Sequence, residues 1–151
     1  MGTRGGSAFT SFFGADLTAV ITGGLVGDTV TLPSGYQLTQ GYILGTSVDL
    51  TNANLAGATL TGVDLSSAIL TGVRSGGLVG SLSVTLPSGW TLTNGYLVGP
   101  GANLRNASLA NANLVGINFS TADLTDANID GSFTDNANFS AATVTRLRIR
   151  T

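Results

Sequence analysis

The chain has 151 residues, enough for one domain, with six Arg, eight Asp and a formal net charge of −2. It contains no Lys, Glu, His or Cys. This excludes a histidine base, a cysteine nucleophile, a lysine Schiff base, a disulfide framework, and zinc or haem held by His or Cys. Only 9% of residues are charged and 42% are hydrophobic, so the chain must bury surface to be stable.

At the start, Met1 to Ser7 has one Arg and no apolar segment. Residues 1–8 read as a flexible leader, and residues 9–151 as a single structural unit. No stretch approaches the ~18 consecutive apolar residues that a spanning helix needs. With no leader signal visible, the default compartment is the cytoplasm. A net charge of −2 points to neither nucleic acid nor an anionic membrane surface.

The main signal is a period of five. Leu50, Leu55, Leu60, Leu65 and Leu70 form one run. Leu104, Leu109, Leu114, Phe119, Leu124 and Ile129 form a second, resuming in phase at Phe139, Val144 and Ile149. Two residues before most of these centres sits a small apolar residue, as at Ala53, Ala58, Val63, Ala68, Ala102, Ala107 and Ala112. Asn, Asp, Ser or Thr lies between in most copies. A helix advancing ~100° per residue would scatter these leucines around its axis. A flat strand would send successive leucines to opposite faces, because five is odd. In-out-in followed by a bend every five residues coils the chain around an interior. Four such sides close a square of about twenty residues, stacked at the ~4.8 Å spacing of paired strands.

The runs VDLTNANLAGATLTGVDLSSAIL (48–70) and ANLRNASLANANLVGINFSTADLTDANI (102–129) resemble pentapeptide-repeat proteins over about two-thirds of the chain. The resemblance implies an all-β fold, a right-handed quadrilateral parallel β-helix. For this chain that means a β-solenoid of roughly six to seven coils. It implies little about function: some members inhibit DNA gyrase by resembling DNA, and most have no known activity.

A longer repeat overlies the pentads. GGLVGDTVTLPSGYQLTQGYILG (23–45) recurs as GGLVGSLSVTLPSGWTLTNGYLVG (76–99), at an offset of 53 and then 54 residues. The spacings from Leu17 to Leu50 and from Leu70 to Leu104 are not multiples of five, so these inserts are irregular. Two geometries can absorb them. Leu-Pro-Ser-Gly and Asn94-Gly95 are turn signals and fit protruding hairpins over about 31–44 and 85–98, both on one side of the solenoid and two coils apart. The alternative is a wider irregular coil. Leu92 and Leu97, five apart before Ala102, favour the coil, and Gln40-Gly41 is a poorer hairpin signal. Tyr36, Tyr42, Trp90 and Tyr96 pack over the coil edge, or else form a paired aromatic binding strip.

Asp16, Asp49, Asp64 and Asp123 precede repeat centres, where Asp or Asn is expected to bond a neighbouring turn. Asp126, Asp130 and Asp135 occupy turn positions and do not form a calcium loop. No catalytic, cofactor or metal-binding set emerges. In the tail, Arg146, Arg148 and Arg150 point outward. A twenty-residue coil sets Asp126 below Arg146, Asn128 below Arg148 and Asp130 below Arg150, which predicts inter-coil ion pairs. Phe133 falls outward and Thr134 at a centre; a one-residue slip that buries Phe133 is the favoured reading.

These features favour a non-enzymatic scaffold. It would bind an unidentified protein partner or associate with itself through open solenoid ends, with Arg146, Arg148, Arg150 and the four insert aromatics as candidate partner surface. The family's DNA-mimicking inhibition of gyrase or topoisomerase is the second reading. A third is an ice- or carbohydrate-binding surface, on the stacked pairs Thr51/Thr71 and Thr125/Thr145.

Overall fold

The pentad dictates where the chain bends. In the computed structural model, which describes residues 10–25, 30–79 and 83–150, each repeat centre opens a tight turn. The carbonyl of Leu50 accepts from the Ala53 N–H (2.9 Å), and Asn52 between them takes φ +60°. This geometry requires a positive φ at the second residue after the centre. Asn106, Asn111, Asp126, Gly62 and Gly116 supply it in other copies. The residue before the centre completes the corner: Oδ1 of Asp49 accepts from the Thr51 N–H at 2.8 Å, and Asn118, Asp123, Asn128 and Asn138 do the same two residues on, at 2.9 Å.

Stacking follows the twenty-residue register. Parallel bridges join Asp49 to Ile69, Asn54 to Arg74, Thr59 to Val79, Asn103 to Asp123, Ser108 to Asn128 and Asn118 to Asn138, each twenty apart. Four pentads therefore make one coil. We label its sides wall A (Ile21, Asp49, Ile69, Asn118, Asn138), wall B (Asn54, Arg74, Asn103, Asp123, Thr143), wall C (Thr59, Val79, Ser108, Asn128, Arg148) and wall D (Asp64, Thr85, Asn113, Phe133). Backbone bonds such as Leu55 N–H to Arg74 O and Leu109 N–H to Asn128 O, both 2.8 Å, run between coils.

The inward positions form the core. Leu50, Leu55, Leu60, Leu65, Leu104, Leu109, Leu114, Phe119 and Leu124 are fully buried, with Ala53, Ala58, Ala102, Ala107, Ala122 and Ala127 beside them. Burying each large centre contributes about 1.5–3 kcal/mol. Phe119 stacks on Phe139 one coil above, ring centroids 4.8 Å apart and nearly parallel. No α-helix occurs among the described residues. The leader expected over residues 1–8 lies outside them.

Regular strands are few. β1 (Thr10–Ser11) pairs in parallel with β2 (Val30–Thr31), again twenty residues on. β3 (Gln37–Thr39) pairs antiparallel with β4 (Tyr42–Leu44), and β5 (Thr91–Thr93) with β6 (Tyr96–Val98).

These hairpins correct the reading of the inserts as irregular coils. Leu92 and Leu97 are directly opposed in the ladder, as are Leu38 and Ile43. A two-residue turn sets opposed partners five apart, so the spacing that looked like a pentad is a hairpin register. Both turn residues take positive φ: Gln40 (+48°) and Gly41 (+78°), Asn94 (+48°) and Gly95 (+75°). This is the primed turn that suits right-twisted strands. Gln40 accepts the unfavourable conformation while its Nε2 donates to Ala56 O at 2.7 Å.

The hairpins also do not protrude. β4 ends one pentad before Asp49, at the level of wall D. Yet its turn meets wall B: Gly41 O accepts from Leu25 N–H (3.2 Å) below, Gln40 reaches Ala56 above, and the Tyr42 hydroxyl accepts from Asn54 N–H (3.1 Å). Walls B and D are opposite sides, so the hairpin crosses the bore. The second hairpin repeats this from wall A to wall C. Gly95 O accepts from Leu78 N–H (3.1 Å), Asn94 Nδ2 donates to Ala110 O (3.3 Å), and the Tyr96 hydroxyl accepts from Ser108 N–H (3.2 Å). Each hairpin is thus a deck inside the solenoid. Both of its faces are covered: Ile43 with Leu44, and Leu97 with Val98, are adjacent residues that point to opposite faces and are all fully buried.

The two decks lie on crossed axes and not on one side. Ile21 bridges Asp49 after 28 residues, and Arg74 bridges Asn103 after 29, where a plain coil takes 20. Ile21 and Arg74 are equivalent in the duplication but lie on walls A and B. The 53-residue offset therefore spans two coils plus one wall, which turns the second deck by a quarter of a circuit.

Phe133 does not slip inward. It stays in register, bridged to Asn113, and is 64% exposed, while Thr134 takes the half-buried centre. Six neighbouring pentads locked in phase resist a one-residue shift, which would send a whole wall's side chains to the wrong side.

Candidate functional site: the charged walls and the aromatic seats

Charge is sorted around the solenoid. Arg74, Arg105, Arg146 and Arg148 lie on walls B and C or the corner between them, and Arg150, the remaining arginine of the described residues, lies at the corner from wall C to wall D. Asp16, Asp49, Asp64 and Asp135 lie on walls A and D. Asp123, Asp126 and Asp130 share the arginine side and are tied to it. Asp126 is held bidentately by Arg146, Nε to Oδ1 at 2.5 Å and Nη2 to Oδ2 at 2.6 Å. Arg105 meets Asp123 at 3.0 Å, and Arg148 meets Asp130 at 2.8 Å.

The Arg146 pair is the one expected from the coil length. Asp130, expected under Arg150, instead takes Arg148, since a guanidinium on wall C can swing to the corner position two residues along. The pairs are surface pairs, with Arg side chains 44–68% exposed, so each contributes little to stability. Arg74 and Arg150 are exposed and make no ion pair with the described residues.

The aspartates serve turns. The N–H of Thr18 and of Ser66 hold the Asp16 and Asp64 carboxyls below the usual range, and the hydroxyl and N–H of Thr51 do so for Asp49. The Arg146 guanidinium lowers Asp126. Burial pushes Asp123 up, and hydrogen bonds from Thr125 and Arg105 outweigh it, so it too stays ionised at lower pH. A group held this way is a poor proton donor near neutrality. No three carboxylates converge as a metal site among the described residues.

The four insert aromatics are half-buried and occupied. Tyr36 and Trp90 lie on Gly45 and Gly99, where a Cβ would meet either ring at 2.4 Å. Tyr42 and Tyr96 lie on Gly23 and Gly76, and their hydroxyls cap backbone N–H groups of the coil above. They are brought together with the decks and not with the Arg tail. The signal for these seats was in the sequence: a glycine nine residues after Tyr36 and again after Trp90.

Of the threonine pairs, Thr51 and Thr71 stack, with Asn52 N–H bonding Thr71 O at 2.9 Å. Thr125 is buried and offers nothing to an external lattice or sugar. A depression of about 340 Å³ is lined by Gly131, Ser132, Phe133, Thr134 and Asp135. No helix among the described residues is long and apolar enough to cross a membrane.

The family model for pentapeptide repeats matches residues 46–74 and 102–140 in eight copies. No curated protein matches the chain. The matched segments are those whose pentads stack without interruption, and the structure extends the same register through Arg148. On their sequence and on the coil they build, residues 46–74 and 102–140 are pentapeptide repeats.

Proposed function

We propose that this protein is a non-enzymatic interaction scaffold whose partner surface is the arginine-bearing pair of walls B and C, richest in the last coil at Arg146, Arg148 and Arg150. We take it as one solenoid over residues 9–151, right-handed and of six to seven coils. The observation that carries the reading is the sorting of charge among the described residues: four arginines on walls B and C with Arg150 at the edge of wall C, and the four aspartates that make no ion pair on walls A and D. Asp16, Asp49 and Asp64 also cap turns, whereas Arg74 and Arg150 make no ion pair with the described residues and point outward. Arginine at a partly desolvated interface is a strong anchor, and a partner with carboxylates could compete for Arg74 and Arg150 without first breaking an internal pair. The pentapeptide repeats support the absence of catalysis, since proteins of that family are generally non-enzymatic.

Photo-cross-linking from a benzoylphenylalanine at Arg74, Arg150, Asp64 or Asp135, in lysate of the source cells, tests this. Adducts are expected from positions 74 and 150 and should weaken at about 0.5 M salt, where the Debye length falls to about 4 Å. Adducts from 64 and 135 alone, or adducts indifferent to salt, would overturn it. The DNA-mimic reading needs an extended acidic surface, and Asp16, Asp49, Asp64 and Asp135 are thin support for one. A gyrase supercoiling assay is therefore expected to show no inhibition.

A further inference from the structure

The second deck divides the interior. Leu97 belongs to the core below it, with Leu44 through Leu78, while its neighbour Val98 belongs to the core above, with Ala102 through Ile129. Trp90, seated on Gly99, touches both. The backbone ladder is broken at the same level. Between the coil of Leu70–Thr85 and the coil above, direct bridging among the described residues is on wall B alone: Arg74 to Asn103, with Gly72 N–H to Gly101 O and Asn103 N–H to Val73 O. On wall C the hairpin turn is interposed, and the contacts become Leu78 N–H to Gly95 O and Asn94 Nδ2 to Ala110 O. Thr85 and Asn113 on wall D are not bridged to each other. Coils within a block are joined on successive walls, as Asn103, Ser108, Asn113 and Asn118 are to the coil above.

In a stacked repeat, cooperativity is the sum of nearest-neighbour interfaces. A solenoid with a shared core and a four-walled ladder transmits destabilisation from coil to coil. We propose that the second deck is a conformational seam: residues 103–150 open and reclose as one unit while residues 48–79 stay folded, with wall B as the hinge at Gly99-Pro100-Gly101. The arginine-rich coils then ride on the mobile block, so a partner could bind an opened upper block without unfolding the lower one. The proposal does not depend on the partner reading, since it concerns opening of the free chain.

Hydrogen exchange on the full chain under native conditions tests it. In Leu109→Ala, protection of Asp123 and Asn128 N–H should fall at least about tenfold while that of Arg74 and Val79 stays within about twofold. In Leu60→Ala, Arg74 and Val79 should fall and Leu104 and Leu109 should hold. The Leu→Val pair reads the same contrast at smaller amplitude if an alanine variant does not fold. Equal loss on both sides of the deck in either variant overturns the seam. So does loss confined to the mutated coil, because the upper block would not then be a unit.

Discussion

The pentad coils and the two decks solve the same problem in opposite ways. A coil keeps its polar atoms outside and fills the bore with Leu, Phe and Ala, two side chains per wall. A deck puts backbone into the bore, where every N–H and C=O needs a partner. It meets that demand with a two-stranded ladder, with the turn carbonyls of Gly41 and Gly95, and with hydroxyls from Thr22 and Ser75 that accept from Ile43 and Leu97 N–H at 2.7 and 2.9 Å. The coil tolerates composition drift at outward positions. The deck depends on a few fitted contacts, and glycine supplies room for each of its aromatics. A solenoid interior can thus be built from side chains or from backbone, and the second solution ends one core and begins another.

Truncating a coil centre should be costliest. Leu60→Ala or Phe119→Ala removes a fully buried side chain, with an expected loss of about 3–5 kcal/mol in denaturant unfolding. A loss below about 1 kcal/mol would mean that the bore collapses freely around the gap.

Next is a deck seat. Gly99→Ala puts a methyl against the Trp90 ring and should cost about 1–3 kcal/mol, as should Gly45→Ala beneath Tyr36. Trp90, the single tryptophan, reports the change by its emission. Corner glycines separate strain from space. Gly62 has φ +73° with open surroundings, so Gly62→Ala should cost about 1–2 kcal/mol, and Gly62→Asn less, because Asn tolerates the left-handed region. Gly72→Ala should cost more, since its Cβ would also strike Asn52 Oδ1.

The pH effect is smaller. Asp16, Asp49, Asp64, Asp123 and Asp126 have folded pKa values below their unfolded ones. Their contribution is complete above the unfolded carboxylate value near ~3.9 and is lost as pH falls through the folded values. Stability should fall with acidification below about pH 4. Asp49→Asn, which keeps the acceptor for Thr51 N–H, should be nearly as stable at neutral pH and less acid-sensitive. Smallest of all, Arg146→Ala should leave the denaturant midpoint nearly unchanged, and still less affected at high salt.

The coils were legible because a five-residue period admits one solution: turn, stack and bury Leu. The twenty-residue register, the turn-capping Asp and Asn, and the Arg146–Asp126 pair all follow from it. The decks were not legible for a reason seen at Leu92 and Leu97. A hairpin with a two-residue turn also sets apolar partners five apart, so the pattern could not separate a wall from a crossing. The quarter-circuit turn between decks hid in a 53-residue offset that was read as whole coils. Burial of its ring favours an inward Phe133, but the register of the wall it would displace outweighs that gain. The arginines could be assigned outward, yet which neighbour each one reaches depends on rotamers that a period does not encode.

The central claim is that the inserts cross the bore as decks. It is tested most directly by nuclear Overhauser contacts in the isotope-labelled chain. Cross-peaks are expected from the Ser108 amide proton to the Tyr96 ring and from the Leu78 amide proton to Gly95 Hα, since the Ser108 N–H bonds the Tyr96 hydroxyl at 3.2 Å and the Leu78 N–H bonds the Gly95 carbonyl at 3.1 Å. A β5–β6 hairpin with its internal cross-peaks intact and neither of these two would stand away from wall C, and would contradict the account.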